Sequence, residues 1–377
     1  MSSMSVQAPH ALRYYIGFNL VQGIGPARLR MLLDAFGDVE AAWHAPADAL
    51  RRAGLDRRSL HNLLETRSRV DLDQEVRRVI QAGVRAITWE DPDYPSLLRE
   101  IPDPPPLLYV RGTLEPEDSW AVAVVGTRRA SVYGKEVTRR LVTDLARSGI
   151  TVVSGLARGI DGVAHQAALE AGGRTIAVLG CGVDRVYPPE HRALARRIVE
   201  QGALVSEYPL GTPPEARNFP PRNRIISGLS LGVLITEAGR GSGALITADY
   251  AAEQGRDVFA VPGSILAAGS GGTNRLIQEG AKLVMETADI LRELNLTMAA
   301  EQAQAREVLP ETETEAAILA HLGAEPVHVD DLGRAVGMPI AEVTSALTLM
   351  ELKGLVRQVG GMKYVTARES PAEYRLE

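Results

Sequence analysis

The sequence predicts an α/β protein in which a parallel sheet, covered by helices on both faces, follows a helical domain and precedes a small winged helix. Three observations predict it. Between residues 119 and 295, apolar runs of four to six residues alternate with stretches of helical spacing, the pattern of right-handed βαβ crossovers. Residues 11 to 90 carry apolar side chains three and four apart, as amphipathic helices do. The last segment reads as three short helices followed by a hairpin.

In chain order, LRMLLDAFG and LHNLLETRSRVDLDQEVRRVIQAG supply the clearest helical spacing before residue 90. Between them and the N-terminus, Gly23-Ile24-Gly25 makes a tight turn and Pro26 opens a helix. Such a hairpin either aims backbone amides at a DNA phosphate or is a corner that only packs. Residues 91 to 118 hold many of the prolines and predict an extended linker along the core surface, with a domain boundary near residue 90. Strands are predicted at 121–125, 150–154, 175–180, 203–207, 231–236 and 257–261 of a core spanning 119–296. Each of several strands ends in a small or polar residue and a glycine-bearing loop, so their ends converge on one cleft. Residues 297–314 are polar and acidic and predict a second linker. In 315–367, EAAILAHLG, VDDLGRAVG and IAEVTSALTLMELKG predict helices and LVRQVGGMKYVTA a hairpin turning at Gly360-Gly361. The third helix has almost no cation besides Lys353, which predicts partner contact or weak auxiliary DNA binding there.

Composition narrows the function classes. The 377 residues carry a net charge of −6, which argues against a protein coated with positive charge for nucleic acid and leaves a local patch as the place for phosphates. Cys181 is the only cysteine, so an intrachain disulfide and a cysteine-only metal site are both excluded, and a reducing cytoplasm is expected. The N-terminal residues lack a secretion pattern and no apolar run approaches eighteen residues, so no membrane span is expected. Aromatics make up 5%, so base stacking would rest on one or two rings.

Three loops carry the chemistry. In the first, a buried strand delivers Gly126, Thr127, Arg128 and Arg129 to a helix start, where unpaired amides and planar guanidinium donors suit phosphate. The alternative is a solvated arginine pair. The loop lacks the second glycine of the dinucleotide fingerprint, so no nicotinamide or flavin cofactor is expected. The second loop gathers Arg217, Phe219, Arg222, Asn223 and Arg224, with Pro220-Pro221 starting a helix. A basic helix start beside a ring suits a single strand, and a charged surface loop with a buried Phe is the competing reading. The third places Gly241, Ser242 and Gly243 in a glycine-rich turn before a helix, without the lysine of a P-loop, which argues against an ATPase or GTPase. Ser154 and Gly155 end a strand at the same edge. Ser154, Asp161 and His165 lack the nucleophile-elbow pattern and read better as a cap and a core histidine. Cys181 with His191 is too sparse for zinc, and neither a metal nor a catalytic residue is expected.

VAVVGTRRASVYG, SGLARGIDGVAHQAAL, AVLGCGVDRVYPPEH, SEYPLGTPPEARNFPPRNRIISGLS and EAGRGSGALITADYAAEQGRDVFAVPGS, in this order, resemble the bacterial DNA-processing protein A (DprA/Smf) family. The resemblance implies an extended Rossmann-like core, with a SAM or helix-hairpin-helix-like domain before it and a winged helix after it. It implies a homodimeric recombination mediator of natural transformation that binds and protects incoming single-stranded DNA, displaces single-strand-binding protein and loads the recombinase RecA, without catalysis or cofactor. It maps Gly126, Thr127 and Arg128 onto a phosphate-binding corner and Phe219, Arg222, Asn223 and Arg224 onto a second basic segment, so that alanine at Arg128 or Arg224 should weaken strand binding. A competing resemblance, looser, is to Rossmann-like phosphoribohydrolases, with GSGALIT as the phosphate loop and Glu237 as the acid. Against it, the glutamate that follows a PGGxGT loop in that group is absent here, where Asp249 follows.

Overall fold

The structure, a computed structural model, describes residues 10–296, 312–323, 326–352 and 355–366. Two compact units divide the chain, Met1–Ala300 and Glu301–Glu377.

The first unit begins with six helices, α1 Leu12–Leu20, α2 Pro26–Phe36, α3 Val39–His44, α4 Ala47–Arg52, α5 Arg57–Arg69 and α6 Leu72–Gln81. Gly25 occupies the N-cap of α2 and Pro26 its first turn, as the GIGP turn predicts. Asp38, Asp56 and Asp71 cap α3, α5 and α6 through their side chains. Then follow β1 Arg85–Thr88, α7 Ser96–Arg99, β2 Leu107–Gly112, β3 Ala121–Val125, α8 Val132–Arg147, β4 Thr151–Ser154, α9 Ile160–Glu170 and β5 Thr175–Val178. The unit continues with α10 Arg192–Gln201, β6 Gly202–Ser206, α11 Phe219–Gly228, β7 Gly232–Ile235, α12 Ala244–Glu253, β8 Asp257–Ala260, α13 Gly271–Gln278, β9 Lys282–Leu283 and α14 Thr287–Glu293.

Among the described residues the strands form one sheet in the order β1-β2-β6-β5-β4-β3-β7-β8-β9. Strands β3 to β9 are mutually parallel, and β2 joins β6 and β1 in antiparallel register. From β3 the chain steps outward to β6, then returns to the other side of β3 with β7. That reversal is a topological switch point, and it opens a crevice beyond the carboxyl ends of β3 and β7. Side chains alternate between the faces. Ala121, Ala123 and Val125 pack with Ile225, Ile226 and Ala248 of α11 and α12, while Val122 and Val124 pack with Leu141, Leu145 and Ala164 of α8 and α9. A strand buried on both faces explains why 121–125 reads as a continuous apolar run.

The expectation that 91–118 is only a linker is corrected at β2. Pro104, Pro105 and Pro106 end before LLYVRG, which keeps all its amides and pairs on both sides. Leu108 and Val110 face the sheet core, whereas Leu107 and Tyr109 join the core of the N-terminal helices. The helices and the sheet therefore share a strand, and no boundary falls at residue 90.

The second unit contains α15 Glu313–Leu319, β10 Val327–His328, α16 Val329–Val336, α17 Ile340–Leu352, β11 Val356–Gly360 and β12 Lys363–Thr366. Its sheet order is β10-β12-β11, and Gly360 and Gly361 take positive φ at the hairpin turn, giving the predicted winged helix. The expected linker lies outside the described residues over 297–311, as do Lys353 and the last residue of the predicted domain, 367. Among the described residues no helix is long and apolar enough to cross a membrane, and no group of His, Cys, Asp or Glu is arranged for a metal ion.

Candidate nucleic-acid interface

The loop after β3 is clamped from below. Gly126 is required there, because a Cβ would sit 2.5 Å from Ile160 Cγ1 and 2.8 Å from the Glu237 carbonyl oxygen. Thr127 donates its amide to that carbonyl at 2.7 Å, and its own carbonyl accepts from the Ile160 amide at 3.2 Å. Gly159, at φ +77°, lets the α9 start approach the Thr127 carbonyl. Thr127 Oγ1 accepts the Arg129 amide at 3.2 Å, Ser131 caps α8 through Gly134, and the Ser131 amide donates to Glu237 Oε2 at 2.9 Å. With the backbone fixed at both ends, the Arg128 and Arg129 side chains project outward, and among the described residues neither has an acidic partner.

Opposite stands the first turn of α11. Phe219 lies under the Arg128 guanidinium, with Arg128 Cζ 5.7 Å from the ring centroid. Arg222 points inward and is 5% exposed. Its Nη2 donates to the Gly155 carbonyl at 2.8 Å and its Nη1 to Asn223 Oδ1 at 3.2 Å, while its buried Nε has no partner. Burial lowers the guanidinium to about 10, with Asp161 acting in the opposite direction, so it remains charged near neutrality. Asp161 accepts the amides of Gly155 and Ala157 at 3.1 and 3.3 Å. Burial raises its pKa, and Arg222 opposes the rise.

The third wall is the loop after β7. Ser242 and Gly243 precede α12, whose first turn brings Ala244, Ile246 and Thr247 to the same space, and Asn223 Nδ2 reaches the Gly243 carbonyl at 3.5 Å. The three walls enclose a cavity of about 460 Å³ at the switch point.

The structure brings together Gly126, Thr127, Arg128, Arg129, Phe219, Arg222, Asn223, Ser242 and Gly243 around this cavity. It separates the others. Arg224 turns away and makes a two-pronged ion pair with Glu207 at 3.0 and 2.7 Å. The expectation that it contacts phosphate is corrected, because its donors are spent on a carboxylate that is itself largely buried. Arg217 is exposed and pairs with Glu215 at 2.6 Å. Ser154 is buried and donates its hydroxyl to the Val124 carbonyl at 2.6 Å, which removes it from the cleft surface. Gly155 lies beneath Arg222, where any Cβ would collide with the guanidinium, and Gly241 lies outside the cavity lining.

Sequence reasoning missed Tyr187, whose ring centroid is 5.6 Å from that of Phe219; its place in VDRVYPPEH carries no periodic signal. It also assigned Glu237 only as a catalytic acid in the competing reading. The carboxylate instead holds the Ser131 amide, and it is buried. His165 Nδ1 faces Thr175 Oγ1 at 2.7 Å rather than a serine nucleophile, so no triad forms. Cys181 and His191 bond separately to the Arg185 and Leu156 carbonyls.

Residues 85–295 match the family described as DNA recombination-mediator protein A, and residues 289–362 match the DprA winged helix domain. The chain is 38% identical to Protein Smf of Synechocystis, over 93% of this chain and 98% of that one. The solved DNA processing protein A of Streptococcus pneumoniae is 38% identical and superposes with a TM-score of 0.67, covering 74% of this chain and 97% of its own. That of Helicobacter pylori, described for a single-stranded DNA binding mode, is 31% identical with a TM-score of 0.51, covering 57% of this chain and 97% of its own.

Proposed function

Because the chain belongs to the DNA recombination-mediator protein A family, we propose that it binds single-stranded DNA along the switch-point cleft without a catalytic step. In this reading it acts as a homodimer in natural transformation, protecting incoming strands, displacing single-strand-binding protein and loading RecA. The observation that carries the DNA reading is the Arg128 guanidinium, which forms no ion pair among the described residues, lies over the Phe219 ring and lines the same cavity as a second, buried guanidinium at Arg222. A phosphodiester entering between them would meet two planar sets of donors in a poorly solvated space. Glu237 accepts the Ser131 amide and Asp161 accepts two amides, which gives both carboxylates a structural role and weighs against the phosphoribohydrolase reading. The single-strand binding described for the Helicobacter pylori relative supports the same ligand.

A shift assay with single-stranded and duplex DNA across a salt series tests the proposal. Arg128→Ala should weaken single-strand binding and reduce the salt slope by about 0.7 for each phosphate it no longer neutralises. Unchanged binding by a folded Arg128→Ala/Arg129→Ala protein would reject it.

A further inference from the structure

Tyr187 stands on the loop between β5 and α10, at the rim of the Arg128 cavity. Tyr187 is 39% exposed, its ring centroid is 5.6 Å from that of Phe219, and the two planes are tilted by 36°. A smaller recess lined by Arg128, Arg158, Tyr187, Phe219 and Arg222 adjoins the main cavity. Trp120 and Tyr133 are the other large aromatic side chains exposed among the described residues. Trp120 precedes β3, at the opposite end of the sheet, and Tyr133 donates its hydroxyl to the Pro262 carbonyl at 2.9 Å. Tyr187 is therefore the exposed ring that continues the aromatic surface begun by Phe219.

A nucleobase sandwiched between two rings needs them about 7 Å apart, at the upper limit of stacked-ring separations. Tyr187 and Phe219 are closer than that, so they form no slot; Tyr187 is the exposed ring and Phe219 lies half-buried beside it under Arg128. Arg158, beside them, is paired with Glu190, so this part of the rim adds no free cation. An exposed aromatic ring beside the Arg128 guanidinium suits the bases of a strand whose backbone is held at Arg128.

We infer that Tyr187 and Phe219 form a two-ring shelf on which consecutive nucleobases of a single strand stack as the strand leaves the Arg128 cavity. The inference rests on the reading that strand phosphates occupy that cavity. Stacking on a shelf is indifferent to sequence, because every base has a π-face, and it discriminates against duplex, whose base faces are already covered. It adds affinity that salt does not screen, in contrast to Arg128.

The test compares the full chain binding labelled oligothymidylate and an abasic phosphodiester oligomer of the same length, by fluorescence anisotropy. Tyr187→Ala and Tyr187→Leu should each weaken oligothymidylate binding at least about fivefold, leave the abasic oligomer and the salt slope unchanged, and keep the unfolding midpoint of the wild type. Tyr187→Phe should restore binding. An equal loss on both oligomers overturns the shelf, since Tyr187 would then serve the backbone. So does full oligothymidylate binding by Tyr187→Ala when Arg128→Ala has lost it, and that result leaves the phosphate reading standing. A wild-type chain that binds neither oligomer overturns both.

Discussion

Arg224→Ala separates a structural arginine from a ligand-binding one. The Arg224 and Glu207 side chains are 11% and 17% exposed and share hydrogen bonds of 3.0 and 2.7 Å. Glu207 follows β6, and its backbone carbonyl also accepts from Asn19 Nδ2 of α1 at 3.0 Å. The pair thus pins α11 to the end of β6 and to the N-terminal helices, and so orients the opposite face of α11 toward the cavity. Removing one member of a fully buried pair costs about 3–5 kcal/mol, because the remaining charge is left unsolvated. The residual exposure lets water reach Glu207, which sets the expected loss at about 2–4 kcal/mol.

Urea unfolding followed by tryptophan fluorescence measures this cleanly, since Trp43, Trp89 and Trp120 all lie in the first unit. The midpoint should fall at unchanged m. Arg224→Met/Glu207→Leu should recover most of the loss, because no buried charge is orphaned. Single-strand affinity of folded Arg224→Ala should stay within about threefold of the wild type, a change under about 0.7 kcal/mol. A stability loss below about 0.5 kcal/mol together with a tenfold loss of affinity would refute the assignment and make Arg224 a strand ligand.

His165 sets an acid limit on stability. The Thr175 hydroxyl donates to the Val152 carbonyl at 2.6 Å, so the proton in the Thr175–His165 contact sits on Nδ1, and burial lowers the ring pKa to about 3. The unfolded chain, titrating near 6.5, binds more protons between about pH 3 and 6.5, so stability is lost as the pH drops through that window, by up to about 1.4 kcal/mol per unit. His165→Leu should reduce that slope by one proton in urea midpoints measured across the window; equal slopes would contradict the account. Glu237→Ala should cost about 1–3 kcal/mol by releasing the Ser131 amide and weaken strand binding by loosening the Arg128 loop. Stability and affinity equal to wild type would show that this tether is idle. Deleting residues 301–377 should lower single-strand affinity by less than tenfold, since α17 presents Glu342 and Glu351 and no Lys or Arg over Ile340–Leu352. A larger loss in the shift assay would assign DNA contact to the winged helix.

The sheet is legible where burial leaves a sequence signature and hidden where it does not. Strand β3 is buried on both faces, and its AVAVV run marks its ends correctly. Strands β9 and β10 have two residues each, too few for any period to register. Strand β2 is hidden by averaging over a segment whose prolines stop one residue before it begins. The same averaging places a boundary at residue 90, where the alternation of Leu107 and Tyr109 against Leu108 and Val110 joins two cores across one strand.

The basic segment shows how far residue type carries a site and where geometry takes over. On a helix starting at Phe219, Arg222 lies three residues on, near the same face, whereas Arg224 is two residues past Arg222 and so about 200° around the axis. Both could not line one cleft, and this much follows from spacing once the helix start is known. Which face turns to the cleft depends on contacts distant in sequence: Glu207 draws Arg224 to β6, and Gly155 leaves room only for the Arg222 guanidinium. Phe219, Arg222, Asn223 and Ile226 then form the cavity face. Arg222 ends there charged, almost fully buried and with Nε unpaired. An unpaired buried donor is costly to a folded chain, and an anion in the cavity would lower that cost by the same field that attracts it. If a strand phosphate binds in the cleft as proposed, occupancy should raise the stability of the first unit, because a ligand held by the folded chain alone stabilises it by mass action.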